Sequence, residues 1–133
     1  MLDAHEFTDS LDAELRSFLT GVDVDLYGKW AQTRGLPATP RVGRHIEFTR
    51  TGRRITRRTD GVAALHRDPA AEHVSDMLTR LDEEVERAQR TLPRIRLDEG
   101  DLLVLDNYRC WHGRDAHTGA RTVHIQTVRT DDA

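Results

Sequence analysis

Cysteine, lysine and long apolar runs are what this sequence lacks most clearly. Cys110 is the only cysteine among 133 residues, which excludes an internal disulfide and a thiolate-rich zinc site. Lys29 is the only lysine among 20 Lys and Arg residues, a bias from which no function follows. No run of about eighteen apolar residues occurs, so we expect no transmembrane helix.

The N-terminus and the net charge exclude further classes of protein. Residues 1–6 are acidic and no apolar segment follows them, so we see no secretory signal and expect a cytoplasmic protein. The formal net charge of -3 argues against general nucleic-acid binding. A content of 37% apolar and 32% charged residues is typical of a soluble globular protein, and the length suffices for one ordinary domain.

The spacing of apolar residues predicts two helices, separated by a mostly irregular segment over residues 22–42. Ser10 is expected to cap the first helix. Its apolar positions are Leu11, Leu15, Phe18 and Leu19. Asp68 is expected to cap the second helix, with Pro69 at its first position. The buried stripe of this second helix is predicted to be Val74, Met77, Leu78, Leu81 and Val85.

Five segments have the residue pattern of strands. They are residues 45–50, 53–58, 94–97, 102–106 and 121–129. The first two flank Thr51 and Gly52, which predict a hairpin turn. The continuous apolar run of residues 102–105 predicts a strand that is buried on both faces. Residues 121–129 alternate, which places Arg121 on the same face as Val123 and Ile125.

The sequence GDLLVLDNYRCWHGR, residues 100–114, carries the local chemistry. It predicts a buried strand that leads to His112 in a turn, and Arg121 opens the next strand. An arginine on an apolar face is costly to bury unless a carboxylate or phosphate meets it. A neutral imidazole beside a guanidinium therefore suits a site that holds a metal and an anionic ligand.

The neighbours of His112 receive more modest roles. We expect three of them to brace the turn. They are Asp106, Asn107 and Arg109. Cys110 is expected to be a small buried residue, and Trp111 either lines the pocket or packs against the second helix. Arg129 lies on the same face as Arg121 and is a second candidate for binding an anion.

The same segment, with TGAR after it, resembles the C-terminal signature of the TauD/TfdA-like Fe(II)- and 2-oxoglutarate-dependent dioxygenases, which include the clavaminate synthase-like and gamma-butyrobetaine hydroxylase-like enzymes. The close resemblance covers about residues 98–129, and a looser one extends back to about residue 40. It implies that His112 is the distal iron ligand and that Arg121 binds the distal carboxylate of 2-oxoglutarate. It also implies hydroxylation of a small polar substrate, with decarboxylation of 2-oxoglutarate to succinate.

An iron site of this class needs two histidines and one carboxylate on one face of the metal. The resemblance implies that a His-x-Asp or His-x-Glu motif supplies the other two ligands. The chain contains two such motifs, residues 66–68 and residues 45–47. Helix capping already explains Asp68, and the solvated face of a strand explains His45 and Glu47. A compact enzyme that uses His66 and Asp68 is the alternative.

These elements predict an α+β fold with a mainly β core, a partial double-stranded β-helix (jelly roll) with one long helix packed on it. A jelly roll has about eight strands, and the sequence offers five. We therefore expect an incomplete dioxygenase C-terminal domain over residues 1–133. Residues 1–42 form a helix and an irregular segment, residues 43–129 the core, and residues 130–133 a tail. Self-association or a missing N-terminal segment would complete the sheet.

A hypothesis from another class is a catalytically silent remnant or an anion-binding module. Five arginines on the predicted hairpin support it. They are Arg50, Arg53, Arg54, Arg57 and Arg58. Glu47 and Asp60 dilute this charge, and no aromatic stacking platform accompanies it. We therefore expect a small-molecule substrate, and neither nucleic acid nor a membrane, as the partner.

Overall fold

Short strands and four helices make up the fold in the computed structural model, which describes residues 1–34, 39–113, 118–119 and 122–128. The helices are α1 (Ala4–Ser10), α2 (Ala13–Gly21), α3 (Gly28–Arg34) and α4 (Ala71–Gln89). The strands are β1 (Leu2–Asp3), β2 (Val24–Asp25), β3 (Val42–Gly43), β4 (Ile46–Phe48), β5 (Arg54–Thr56) and β6 (Cys110–Trp111). Three antiparallel pairs form, β1 with β6, β2 with β3 and β4 with β5.

Helices α2 and α4 supply most of the hydrophobic core. The predicted stripe of α4 is buried along its whole length, and so are the predicted apolar positions of the first helix. Ile46 of β4 and Val24 of β2 complete this core. The amphipathic spacing thus predicted the buried faces correctly. In the part of the chain that the structure describes, the core is mainly helical and the sheets are small, so the expected mainly β core is not seen there.

The helix caps differ from the prediction in position. Ser10 is the last residue of α1, and Asp12 caps α2 by accepting a hydrogen bond from the Leu15 N–H at 2.9 Å. Ala70 rather than Asp68 precedes the first residue of α4. The Asp68 carboxylate instead accepts from the Ala70 N–H at 2.8 Å, so it orders the turn before the helix.

The predicted hairpin is confirmed. Strands β4 and β5 pair with Glu47 opposite Ile55. Gly52 has a φ of +85°, a conformation that glycine adopts without the steric cost that a Cβ brings. Alternation and a glycine turn were sufficient for this prediction because every contact involved is local in sequence.

Residues 22–42 are more regular than predicted, because β2, α3 and β3 all lie there. The ring of Trp30 in α3 stacks on Tyr27, with centroids 5.3 Å apart. A Cβ at Gly61 would lie 2.7 Å from the Trp30 ring, so only glycine lets the backbone approach this closely. The contact between Trp30 and Gly61 joins residues far apart in the sequence, which explains why the sequence of this segment resembled that of a loop.

Three of the predicted strands do not form in the described residues. Residues 94–97, 102–106 and 122–128 have no strand pairing. Leu102, Val104 and Ile125 are exposed at 86%, 82% and 87%, although the pattern predicted burial. An apolar strand is buried only when neighbouring strands pair with it and cover it, and no described segment does so. The described part contains no closed barrel, so the structure does not itself display the expected jelly roll. None of the described helices is long and apolar enough to cross a membrane.

Candidate functional site

The turn that precedes β6 and His112 is built around Asp106. Its carboxylate accepts a hydrogen bond from the Tyr108 N–H at 2.9 Å. Its backbone carbonyl accepts from the Arg109 and Cys110 N–H groups at 3.0 and 2.8 Å. Burial alone would raise the pKa of the Asp106 carboxyl. The hydrogen bond from the Tyr108 N–H and the nearby Arg53 guanidinium outweigh this effect, so the net shift of the pKa is downward. The predicted bracing role of Asp106 is confirmed.

Two distant elements hold this turn in place. Arg53 lies in the connection to β5 and pairs with Asp106 at 3.0 Å, and the Thr56 N–H donates to the Tyr108 carbonyl at 2.9 Å. On the other side, Arg109 donates from Nε and Nη2 to one carboxylate oxygen of Asp3, at 2.9 and 2.8 Å. Sequence reasoning missed Asp3 and Arg53 because no local pattern links them to the turn.

Trp111 packs inside the fold beside this turn. Its ring meets the Phe7 ring of α1 edge to face, with centroids 5.7 Å apart, and its Nε1–H donates to the Thr56 carbonyl at 3.3 Å. Cys110 is only half-buried, so the predicted burial is incomplete. Trp111 therefore anchors the segment just before His112 against α1 and β5, at the edge of the hydrophobic core.

His112 lies at the exposed end of this anchored segment. Its Nε2 is 3.3 Å from the side-chain oxygen of Asn107. Since an amide oxygen only accepts hydrogen bonds, this contact requires a proton on Nε2 and leaves the lone pair of a neutral ring on Nδ1. The imidazole can therefore offer one nitrogen to a metal while the other is held by Asn107.

Arg121, the predicted anchor of the cosubstrate carboxylate, lies outside the described residues, as do Arg114 and Arg129. Of the apolar face predicted to surround Arg121, Val123 is 47% and Ile125 is 87% exposed. That face is therefore not buried in the described part of the chain. The expected proximity of His112 and Arg121 stays a prediction.

The first His-x-acid motif does not join His112. His66 is exposed, and Asp68 is engaged with the start of α4. Arg67 between them has a φ of +59°, a left-handed conformation that is uncommon for a residue with a Cβ. Over the described residues, no group of three His, Cys, Asp or Glu side chains is arranged to hold a metal ion. The structure thus gives no support to the compact enzyme based on His66 and Asp68.

In the second His-x-acid motif, His45 lies in the core and Glu47 forms an ion pair. His45 is 1% exposed, so its expected place on a solvated face is wrong. Its Nδ1–H donates to the Arg57 carbonyl at 2.8 Å. Burial lowers the pKa of its imidazole, and the nearby Arg58 charge adds to that shift. Glu47 forms an ion pair with the Arg57 side chain. Packing and local pairing account for both residues without a metal.

Carboxylates partner most of the hairpin arginines. Asp106 partners Arg53, Asp9 partners Arg54, Glu47 partners Arg57, and Asp82 partners Arg58. Exposed ion pairs of this kind contribute little stability each, but they neutralise the positive charge that an anion-binding surface needs. The anion-binding hypothesis is therefore not favoured.

A groove among the described residues lies away from the turn. Its volume is about 410 Å³, and it lies between β3 and the β4–β5 hairpin. Its lining consists of Leu26, Pro40, Arg41, Val42, Gly43, Glu47 and Arg57. Because His112 is not among these residues, this groove is not the predicted metal site.

The donor set in the described residues is too small for an iron centre of the two-histidine, one-carboxylate type. It provides His112 at the end of an anchored segment, with one ring nitrogen available. Neither His-x-acid motif supplies the other two ligands. The geometry therefore fits one part of such a site rather than the whole of it.

Comparison with known proteins gives one match, to a family model. The family model described as "Taurine catabolism dioxygenase TauD, TfdA family" matches residues 6–128. The match includes the turn with His112 and the position of Arg121. No curated protein and no solved structure gives a significant match.

Proposed function

The chain belongs to the TauD/TfdA family of dioxygenases, and from this membership we propose that it is the C-terminal portion of an Fe(II)- and 2-oxoglutarate-dependent oxygenase. The substrate we propose is a small polar molecule. When bound, iron and 2-oxoglutarate supply the oxidising chemistry, in which oxygen is consumed, a C–H bond of the substrate is hydroxylated and 2-oxoglutarate becomes succinate.

His112 is the metal ligand in this proposal, and Arg121 binds the distal carboxylate of 2-oxoglutarate. The family match, which spans both positions, is the observation that carries the proposal. The preceding turn adds support, because the hydrogen bonds to Asp106 and the contacts of Trp111 fix the backbone that leads to His112. A ligand whose backbone is fixed needs little reorganisation when the metal binds.

We propose that the two remaining ligands come from outside the described residues, in a His-x-Asp or His-x-Glu motif on an additional core strand. The exposed apolar segments at residues 102–105 and 122–128 support this, because strands of this composition are normally covered by neighbouring strands. One addition would then complete both the ligand set and the sheet.

The test is to express the reading frame extended upstream of Met1 and to measure succinate formation with Fe(II) and 2-oxoglutarate. We expect a His-x-Asp or His-x-Glu motif in the extension and a loss of turnover of about a hundredfold or more in His112→Ala. Replacing Arg121 with Gln removes a charge-assisted contact of about 1.5–3 kcal/mol, so KM for 2-oxoglutarate should rise about ten- to a hundredfold.

Arg96→Gln is the control, because it removes an arginine whose side chain is 91% exposed and should leave KM for 2-oxoglutarate nearly unchanged. Turnover that persists in His112→Ala would refute the assignment of the metal ligand. An equal rise in KM from both arginine variants would refute the assignment of Arg121.

A further inference from the structure

His45 is the one ionisable residue in the described chain that is almost wholly buried. It lies just before β4, where its Nδ1–H donates to the Arg57 carbonyl at 2.8 Å and its own carbonyl accepts from the Arg57 N–H at 2.7 Å. These two bonds close the base of the hairpin. Its Nε2 has no hydrogen-bond partner among the described residues, so the neutral ring buries a bare lone pair.

The surroundings of His45 cannot readily accept a positive charge. On the α2 side, its ring meets the apolar ring of Phe18, with centroids 6.3 Å apart. On the α4 side, Asp82 already pairs with Arg58 at 2.7 Å. Lys29 of α3 and Asp60 line the same small cavity of about 20 Å³. The four facing charges therefore sum to zero, and a proton on His45 adds an uncompensated charge to a buried site.

The base of the hairpin is connected directly to the turn that presents His112. The Thr56 N–H donates to the Tyr108 carbonyl at 2.9 Å, and the Thr56 carbonyl accepts from Trp111 Nε1 at 3.3 Å. The Arg57 guanidinium lies 5.7 Å from the centre of the Tyr108 ring. Any opening at residues 56 and 57 therefore removes contacts that hold residues 108–111.

We propose that His45 is an acid-sensitive switch, whose protonation opens the base of the hairpin and thereby loosens the turn that presents His112. The switch is a property of the metal-free fold. Its consequence for metal binding rests on the proposed function, in which His112 is a ligand. This goes beyond the family chemistry, since it links a core histidine to the control of that turn by pH.

The direction of the pH effect follows from the burial of His45. Burial holds the pKa of the folded imidazole below its ordinary value of 6.5. The opened state then binds more protons than the closed state as pH falls below 6.5. The stabilisation by neutral His45 is therefore complete above pH 6.5, and it is lost as pH falls towards the folded pKa.

Hydrogen exchange on the metal-free chain tests this switch independently of any iron chemistry. We expect the protection factors of the Thr56 and Arg57 amides to fall by up to about tenfold per pH unit below pH 6.5, after correction for intrinsic exchange. His45→Gln, which keeps a donor for the Arg57 carbonyl but does not titrate here, should abolish this fall. His73→Gln, a change at an exposed histidine of α4, should leave it unchanged.

Wild-type protection that does not change with pH would overturn the proposal, and so would a fall that persists in His45→Gln. If that variant does not fold, NMR titration of the wild-type His45 ring tests the switch instead. A ring that stays neutral well below pH 6.5 while the hairpin is closed supports the switch. A ring that titrates near pH 6.5 with the hairpin still closed overturns it.

Discussion

At the residue scale, Arg67 carries the clearest backbone strain, since its φ of +59° is the one positive value for a non-glycine residue in the described chain. A Cβ in this region costs about 1–2 kcal/mol, and glycine costs about 0.4–1 kcal/mol through the greater entropy of the unfolded chain. Arg67→Gly should therefore raise the free energy of unfolding by up to about 1 kcal/mol, measured by urea denaturation.

Arg67→Ala is the control for this experiment. It removes the same exposed side chain but keeps the Cβ, so it should bring no such gain. If Arg67→Gly destabilises the chain, or if Arg67→Ala stabilises it as much as Arg67→Gly, then backbone strain at residue 67 does not lower the free energy of unfolding.

Individual site residues could be predicted where the pattern is local. Asp106 as the brace of the turn followed from the known tendency of aspartate to bond nearby backbone, and the structure confirms it. The contacts of Asp3 and Arg53 could not be predicted, because each joins the turn from a distant part of the chain. His45 was misjudged for a related reason, since the strand pattern does not tell which face meets α2 and α4.

At the scale of elements, the structure differs from the sequence prediction at the N-terminal cap of α2, which is Asp12 and not Ser10. The Asp12 carboxylate accepts from the Leu15 N–H and pairs with Arg80 of α4, so Asp12→Ala should lower the thermal midpoint. Ser10→Ala removes only a hydroxyl that donates to the Phe7 carbonyl in α1, and should have the smaller effect. Circular-dichroism melts of both variants make the comparison, and a larger loss from Ser10→Ala would contradict the observed cap.

Elements whose stabilisation is local were predicted, and those that depend on distant partners were not. The buried stripe of α4 follows the helical period, and the turn at Gly52 is marked by a glycine between two alternating segments. Both predictions are confirmed. The short helices α1 and α3 have too few residues for a periodic signal. Helix α3 also depends on the packing of Trp30 against Gly61, which only the folded chain brings together.

At the scale of the whole molecule, the described chain leaves apolar segments exposed that a complete sheet would cover. Ile125 is 87% exposed and Ile55 is 6% exposed. In this chain Ile125→Lys should change the free energy of unfolding by no more than about 0.5 kcal/mol. Ile55→Lys places a charge in the core and should cost several kcal/mol. Urea denaturation of the two variants provides the comparison.

A cost of several kcal/mol for Ile125→Lys would show that residues 122–128 are packed in this chain, against the structure described above. The described residues do not display the expected jelly roll, and the reason is physical. A run such as residues 102–105 specifies that a strand is apolar, but burial also requires neighbours.

The role of His112 is tested most directly by anaerobic titration of the upstream-extended chain with Fe(II) and 2-oxoglutarate, followed by visible absorption. Wild-type protein, His112→Ala and His66→Ala are compared. Any iron-dependent response should vanish in His112→Ala and stay unchanged in His66→Ala, because the described structure leaves His66 apart from the turn. A response that survives in His112→Ala, or that disappears in His66→Ala, would contradict the assignment.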